Sequence, residues 1–394
     1  MRTLLLAVLS AATVSAFAAD PKTPTYQKLQ LSDKFYAEGA YYGDFNKDGK
    51  LDLVAGPFWF EGPEFQKKHE VREAKSYDPN GYSDNFLTYT GDFNADGWTD
   101  ILYVPWPGKE GYWYENPAGK GETWQKHLVY NCIGNESPML GDVNGDGRPD
   151  LVFNNNGFLG YASYDPAKPN EPWKFQAVSK KDGRYQQYTH GVGFGDINGD
   201  GRVDLIEGIG WWEQPAEIKA DQPWKFHPQH FAAEAAQMLV YDVDGDKVND
   251  VITAWNCHGY GLVWYKQVKQ DGGESKWEQN VILTPTPDVK SDALRFSQLH
   301  AFDLVDINGD GLMDFVTGKR FWAHGPKGDV EPGAPAVLYW FELQRGPDGV
   351  KYIPHKIDDN SGVGTQVAAA DLNGDKVPDV IVGNKKGIFL FLSK

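Results

Sequence analysis

Cysteine is nearly absent from this 394-residue chain: only Cys132 and Cys257 occur, far apart and with no C-x-x-C pattern. That spacing argues against a zinc or redox motif and leaves open whether the two thiols pair. Basic residues are outnumbered, 38 Lys and Arg against 55 Asp and Glu, for a formal charge of −17. Such a balance argues against nucleic acid or an anionic membrane as partner. No stretch of eighteen apolar residues is present, so a membrane-spanning helix is not expected. A nucleophile elbow, a Walker loop and a dinucleotide fingerprint are missing as well.

What is present begins with Met-Arg, an apolar run over 4–14 and the small-residue segment A-F-A-A-D from Ala16. This reads as a secretory signal peptide over 1–19, cleaved near Ala18 or Ala19, so a secreted or periplasmic location is expected. Residues 20–394 are then the mature chain, expected to be one domain. Aromatic residues are abundant, with 14 Trp, 20 Tyr and 21 Phe, which suits sheets that need bulky filler between them.

The dominant feature is a nine-residue pattern, D-x-[ND]-x-D-[GK]-x-x-D, that returns seven times. Its acidic or amide positions are Asp44, Asn46, Asp48 and Asp52; Asp92, Asn94, Asp96 and Asp100; Asp142, Asn144, Asp146 and Asp150; Asp196, Asn198, Asp200 and Asp204; Asp242, Asp244, Asp246 and Asp250; Asp306, Asn308, Asp310 and Asp314; and Asp371, Asn373, Asp375 and Asp379. The spacings of 48, 50, 54, 46, 64 and 65 residues approximate one four-stranded propeller blade. Apolar, β-rich segments follow each loop at 51–55, 101–104, 151–153, 205–206, 251–254, 315–317 and 380–382. Aromatic-led strands recur at 26–31, 65–71, 124–129, 173–178, 224–231, 277–282 and 352–357. The first of these has no blade of its own and the last blade lacks an outer strand. The expectation is therefore an all-β, seven-bladed β-propeller with a calcium-type loop in each blade, closed into a ring by the N-terminal strand.

Oxygen donors at positions 1, 3, 5, 7 and 9 suit a hard, flexible ion, and calcium is the expected occupant, up to seven structural ions. No organic cofactor is expected. Seven such ions would add +14 and bring the charge from −17 to −3. An EF-hand is rejected, because position 12 is apolar or Thr in all repeats but the fourth and the flanks are strands. Position 6, which needs a positive φ, is Gly49, Gly97, Gly147, Gly201 and Gly311 in five loops but Lys247 and Lys376 in the others.

At the opposite ends of the inner strands, six residues before each loop, the sequence places Glu38, Phe86, Glu136, His190, Ala236, His300 and Thr365. The second strands end near Trp106, Asn155, Trp255, His258, Lys319, Arg320 and Lys385. Four histidines, His190, His258, His300 and His324, fall at this loop-free rim. The other five, His69, His127, His227, His230 and His355, fall on outer strands and read as ordinary surface residues. The expected site is a carbohydrate pocket at the axis. Trp106 and Trp255 would stack on a sugar, with Glu136, Asn155 and His324 also binding it. His190 or His300 would serve as base with His258 nearby, and Lys319 or Arg320 would steady an enolate. The bland reading is that the histidines bond neighbouring backbone and plug the channel. Glu136 and Glu207 as a glycosidase pair have no spacing to support them.

The loops, such as G-D-V-N-G-D-G-R-P-D-L-V from Gly141, resemble the FG-GAP/VCBS repeat family, which implies a seven-bladed propeller but little about function. The segments T-H-G-V-G-F-G-D-I-N-G-D-G from Thr189, W-W-E-Q-P from Trp211 and the run from Leu299 through His324 look like the propeller domain of aldos-2-ulose dehydratases. That likeness implies an exported lyase that removes water or a sugar from a keto-sugar by abstracting a proton alpha to a carbonyl, with a histidine base. The cupin domains of the fungal enzyme are not matched here. The alternatives are a non-catalytic calcium-stabilised propeller that binds carbohydrate or protein, and a uronate polysaccharide lyase. Oligomeric state is not readable.

Overall fold

A computed structural model describes residues 23–121, 123–220, 222–270, 274–286 and 294–394. The expected signal peptide and its cleavage site lie outside the described residues. Every regular element among the described residues is a strand, 27 in all. No helix among them is long and apolar enough to cross a membrane.

The strands repeat one antiparallel order. Tyr41–Gly43 pairs with Asp52–Ala55, which pairs with Phe58–Phe60, which pairs with Lys68–Glu70. An acidic loop always joins the first two strands of such a set. The second strand is apolar without alternation because it is buried on both faces; Asp52–Ala55 and Asp100–Val104 are buried at every residue. The expected inner and outer strands are present with slightly shifted ends.

Neighbouring sets sometimes fuse. The 17-residue strand Gln125–Gly141 pairs through its first half with Lys109–Glu115 and through its second half with Asp150–Asn155, producing a seven-stranded sheet. Val192–Gly195 pairs in parallel with Gln237–Tyr241, which joins two sets into an eight-stranded sheet. The remaining sheets are four-stranded. Tyr26–Ser32 pairs antiparallel with Gly387–Ser393, so the N-terminal strand completes the last sheet as the sequence predicts. Tyr41–Gly43 lies beside Leu87–Gly91, the first strands from Gln125–Gly141 onward lie beside their successors, and Val367–Ala370 of the last set lies beside Tyr41–Gly43 of the first.

The core is divided between sheets rather than pooled. One cluster joins Phe45, Trp59, Tyr103 and Trp124; another joins Trp340, Phe389 and Phe391. Large rings fill these gaps because two twisted sheets meet only where long side chains bridge them.

Four of the histidines assigned to the surface are not ordinary surface residues. His69 stacks on Trp59, His127 on Trp113, His227 on Trp211 and His355 on Trp340, with centroids 3.9–4.2 Å apart. Each ring nitrogen also meets a glutamate, respectively Glu61, Glu115, Glu213 and Glu342. The Trp and Glu stand two apart, on one face of the third strand, and the His reaches them from the fourth.

Candidate functional site at the loop-free rim

The acidic loops fold around their own carboxylates. Asp44 accepts the amides of Asp48 at 3.2 Å and Gly49 at 2.9 Å, and Asp48 accepts that of Lys50 at 2.9 Å. Position 9 is a buried strut: Asp52 accepts Phe45 N and Gly62 N, which ties the loop to the end of the third strand. The same double contact recurs at Asp100, Asp204, Asp250, Asp314 and Asp379. Burial pushes these carboxyls up, Asp100 to about 8 and Asp204, Asp250 and Asp314 to about 7. Position 6 has φ of 82–86° at the five glycines and 70° and 72° at Lys247 and Lys376. The fifth loop differs in content: Lys266 Nζ contacts Asp244 Oδ2 and lies 3.0 Å from Asp246 Oδ2, so an internal ammonium sits among its carboxylates.

At the opposite ends of the first strands, residues far apart in sequence converge. Backbone bonds hold the rim: Thr365 N donates to Glu38 O at 2.8 Å, Glu136 N to Thr189 O at 2.9 Å and Arg320 N to Gln298 O at 2.8 Å. The fully buried Arg320 guanidinium donates to Glu38 Oε2 and, at 3.4 Å, to Glu136 Oε2. Glu136 Oε2 also lies 3.4 Å from His190 Nε2. His190 Nε2 in turn lies 3.1 Å from His258 Nε2. The rings of His258 and His300 are 4.7 Å apart, as are those of His258 and His324. His324 Nδ1 meets Asp329 Oδ1 at 3.0 Å.

Two protonation environments result. Burial opposes charge on His190, but Cys257 and the Glu136 carboxylate outweigh it and raise His190 to about 10. Burial likewise opposes charge on Glu136, yet His190 and Arg320 bring it down to about 2. For His258 the Glu136 carboxylate is outweighed; burial together with His190 and His324 lowers it to about 4. His300 is held well below its ordinary value by burial and Arg320. Lys319 is lowered to about 8 by burial.

Cys257 is the residue that the spacing argument missed. It is a free, fully buried thiol, and Cys132 is also free, so they do not pair. One ligating atom from each of His190, Cys257, His258 and His300 lies within 4.8 Å of the others. The sequence argues against a zinc motif on local spacing; the ligand types gathered here come from separate strand sets, which C-x-x-C spacing cannot register. His300, 4% exposed, has neither ring nitrogen hydrogen-bonded among the described residues, and His258 Nδ1 is unpartnered too. Buried polar atoms rarely stay unpaired, so this donor set fits a borderline divalent ion of the zinc type.

The other expected site residues separate. A cavity of about 280 Å³ opens beside His190, lined also by Asn135, Asn154, Tyr188, Glu207 and Glu234. Asn155 turns the other way, its amide donating to Tyr130 Oη at 3.0 Å, and its neighbour Asn154 bonds Thr189 Oγ1 instead. Trp106 stands in an aromatic group with Tyr82 at 4.0 Å and Tyr188 at 5.9 Å. Trp255 packs toward His230, 5.8 Å away, and not on the imidazole cluster. Lys319 Nζ donates to Ser297 Oγ at 2.7 Å. Glu38 and Lys385 belong to positions the sequence pattern marks, although neither stands out there by residue type.

An FG-GAP-like repeat family profile matches residues 92–153 and 306–382. Among curated proteins, none matches the sequence. A solved lectin from Agrocybe aegerita, described for specific recognition of non-reducing terminal N-acetylglucosamine, is 14% identical, with 94% of this chain and 86% of that chain covered and a TM-score of 0.49. Neither match names an aldos-2-ulose dehydratase. The chain thus carries FG-GAP-like repeats on an all-strand, β-propeller-like fold.

Proposed function

We propose that the mature chain is an exported, seven-bladed propeller that acts as a carbohydrate lyase at its loop-free axial mouth. One observation carries the catalytic reading: a histidine beside a carboxylate and a neutral histidine share a hydrogen bond at the edge of an open cavity. Pairs of titratable groups with opposed environments are the signature of acid–base work. His258, unprotonated, would take the proton alpha to a carbonyl; the electron pair forms the new C=C bond as the β-substituent leaves. His190, carrying a proton, would deliver it to the departing oxygen, and Arg320 would face the developing oxyanion. The exposed ring of Tyr188 beside Trp106 supplies an apolar face of the kind that sugars stack on.

The unpartnered nitrogens of His300 and His258 favour a second reading of the same cluster, in which His190, Cys257, His258 and His300 hold a zinc-type ion. Such an ion would polarise the carbonyl oxygen. Metal analysis of the purified protein separates the two: the ion should be present at one per chain and lost in His300→Ala if the cluster binds it.

The acidic loops are proposed as calcium clips that keep their buried position-9 carboxylates ionised, with the fifth loop served by Lys266 in place of an ion. The test of function is incubation with keto-sugars and uronate polymers while a new enone or unsaturated uronate is followed by absorbance. Glycan binding without product from any substrate would identify a non-catalytic binding propeller instead.

A further inference from the structure

Lys385 follows the strand Asp379–Asn384 and is 4% exposed. Its ammonium makes no hydrogen bond or ion pair among the described residues. What it has instead is the face of Tyr82, 4.4 Å from the ring centroid, and more distantly that of Phe35 at 5.9 Å. The other axial cations are provided for: Arg320 has Glu38 and Glu136, and Lys319 has Ser297 Oγ. The stem is buried while the ammonium tip stays open to an incoming acceptor, with a ring face as its neighbour. Lys385 is therefore a cation that carboxylates influence from a distance but none contacts.

Its surroundings lead toward the proposed reaction centre. Tyr82 touches Trp106, Trp106 touches Tyr188, and Tyr188 lines the cavity that also exposes His190. A short saccharide chain laid along this row of rings would place one end at Lys385 while the other enters the cavity. Resting on the lyase reading above, we infer that the axial site takes a carbohydrate bearing a carboxylate, and that Lys385 is the residue that binds this carboxylate. A phosphate fits less well. Glu38, Glu136 and Asp329 all act on Lys385, so a second negative charge on the ligand would meet repulsion that a single one does not.

The experiment is calorimetric binding of glucuronate and of glucose to the full mature protein, with Lys385→Met, which keeps the apolar stem, and Lys385→Arg. Wild type should prefer glucuronate, and Lys385→Met should cut that preference about 10- to 100-fold, as expected for loss of a charge-assisted bond. Lys385→Arg should restore part of it. Equal binding of both sugars by wild type, no binding of glucuronate, or an undiminished preference in Lys385→Met would overturn the inference. Should Lys385→Met not fold, thermal melting of wild type decides: glucuronate and not glucose must raise the midpoint. The two readings fail separately. Acid preference without product from any sugar sinks the lyase and keeps the subsite; turnover of a neutral keto-sugar with no acid preference does the reverse.

Discussion

His190 Nε2 stands 3.1 Å from His258 Nε2 and 3.4 Å from Glu136 Oε2, although these residues enter from three different strand sets. One imidazole is thereby held with its proton and the other without. Replacing either by glutamine keeps a hydrogen-bonding side chain but removes the titration. His190→Gln and His258→Gln are each expected to lower kcat/KM by about 10²- to 10⁴-fold, with the His258 variant melting close to wild type and the His190 variant losing the stability of its contact with Glu136. Steady-state kinetics alongside calorimetry checks both halves.

The Glu136–His190 contact also sets a pH dependence of stability. His190 is raised to about 10, so its contribution is complete below about pH 6.5 and is lost as pH climbs toward 10. Glu136 is lowered to about 2, so its contribution is complete above about 4.5 and is lost as pH drops toward 2. Denaturant midpoints in protein freed of transition ions, taken at about pH 3, 6 and 9, should peak at the middle value. Glu136→Gln should flatten the acid limb and weaken the alkaline one, which Cys257 also sustains; an unchanged profile would show that the contact carries neither.

The acidic loops bear on stability. Ions that bind only the folded chain stabilise it by mass action, so a calcium chelator should lower the melting midpoint markedly, and added calcium should restore it. In the fifth loop Lys266 competes with any ion for Asp244 and Asp246. Lys266→Gln should therefore raise the calcium count by one per chain in native mass spectrometry. An unchanged count would mean that the lysine does not stand in for calcium.

The stacked Trp–His–Glu sets should differ by burial. His127 is 3% exposed and bonded to Glu115, whereas His69 is 31% exposed beside Glu61. His127→Ala is expected to cost about 2–3 kcal/mol of stability, from a stacked ring and a hydrogen bond to a charged group. His69→Ala should cost about 1 kcal/mol or less, since solvent screens its contact. Urea unfolding of both variants measures the difference.

The repeat made the architecture legible, because each Asp at position 9 both ends a loop and starts a buried strand. The closing strand Tyr26–Ser32 was legible by counting outer strands against loops. Position 4 was not: Lys47 and Ala95 adopt φ of 59° and 57° there, a strain that nothing in those residue types announces. At the rim, a fixed offset from each loop singled out Glu136, His190 and His300, because each first strand leads directly into its acidic loop. Cys257 and Asn154 escaped, since which neighbour of His258 or Asn155 faces the axis depends on how a strand ends and not on its spacing. The outer histidines were misread because the Trp-x-Glu partners lie on the adjacent strand, and only the register brings them opposite.

The most direct measurement of the central claim is absorbance during incubation of the calcium-loaded protein with keto-sugars and with uronate polymers. The account predicts a rising signal from a new conjugated double bond, lost in both His190→Gln and His258→Gln. A flat trace on every substrate, or a signal that survives both substitutions, would contradict it.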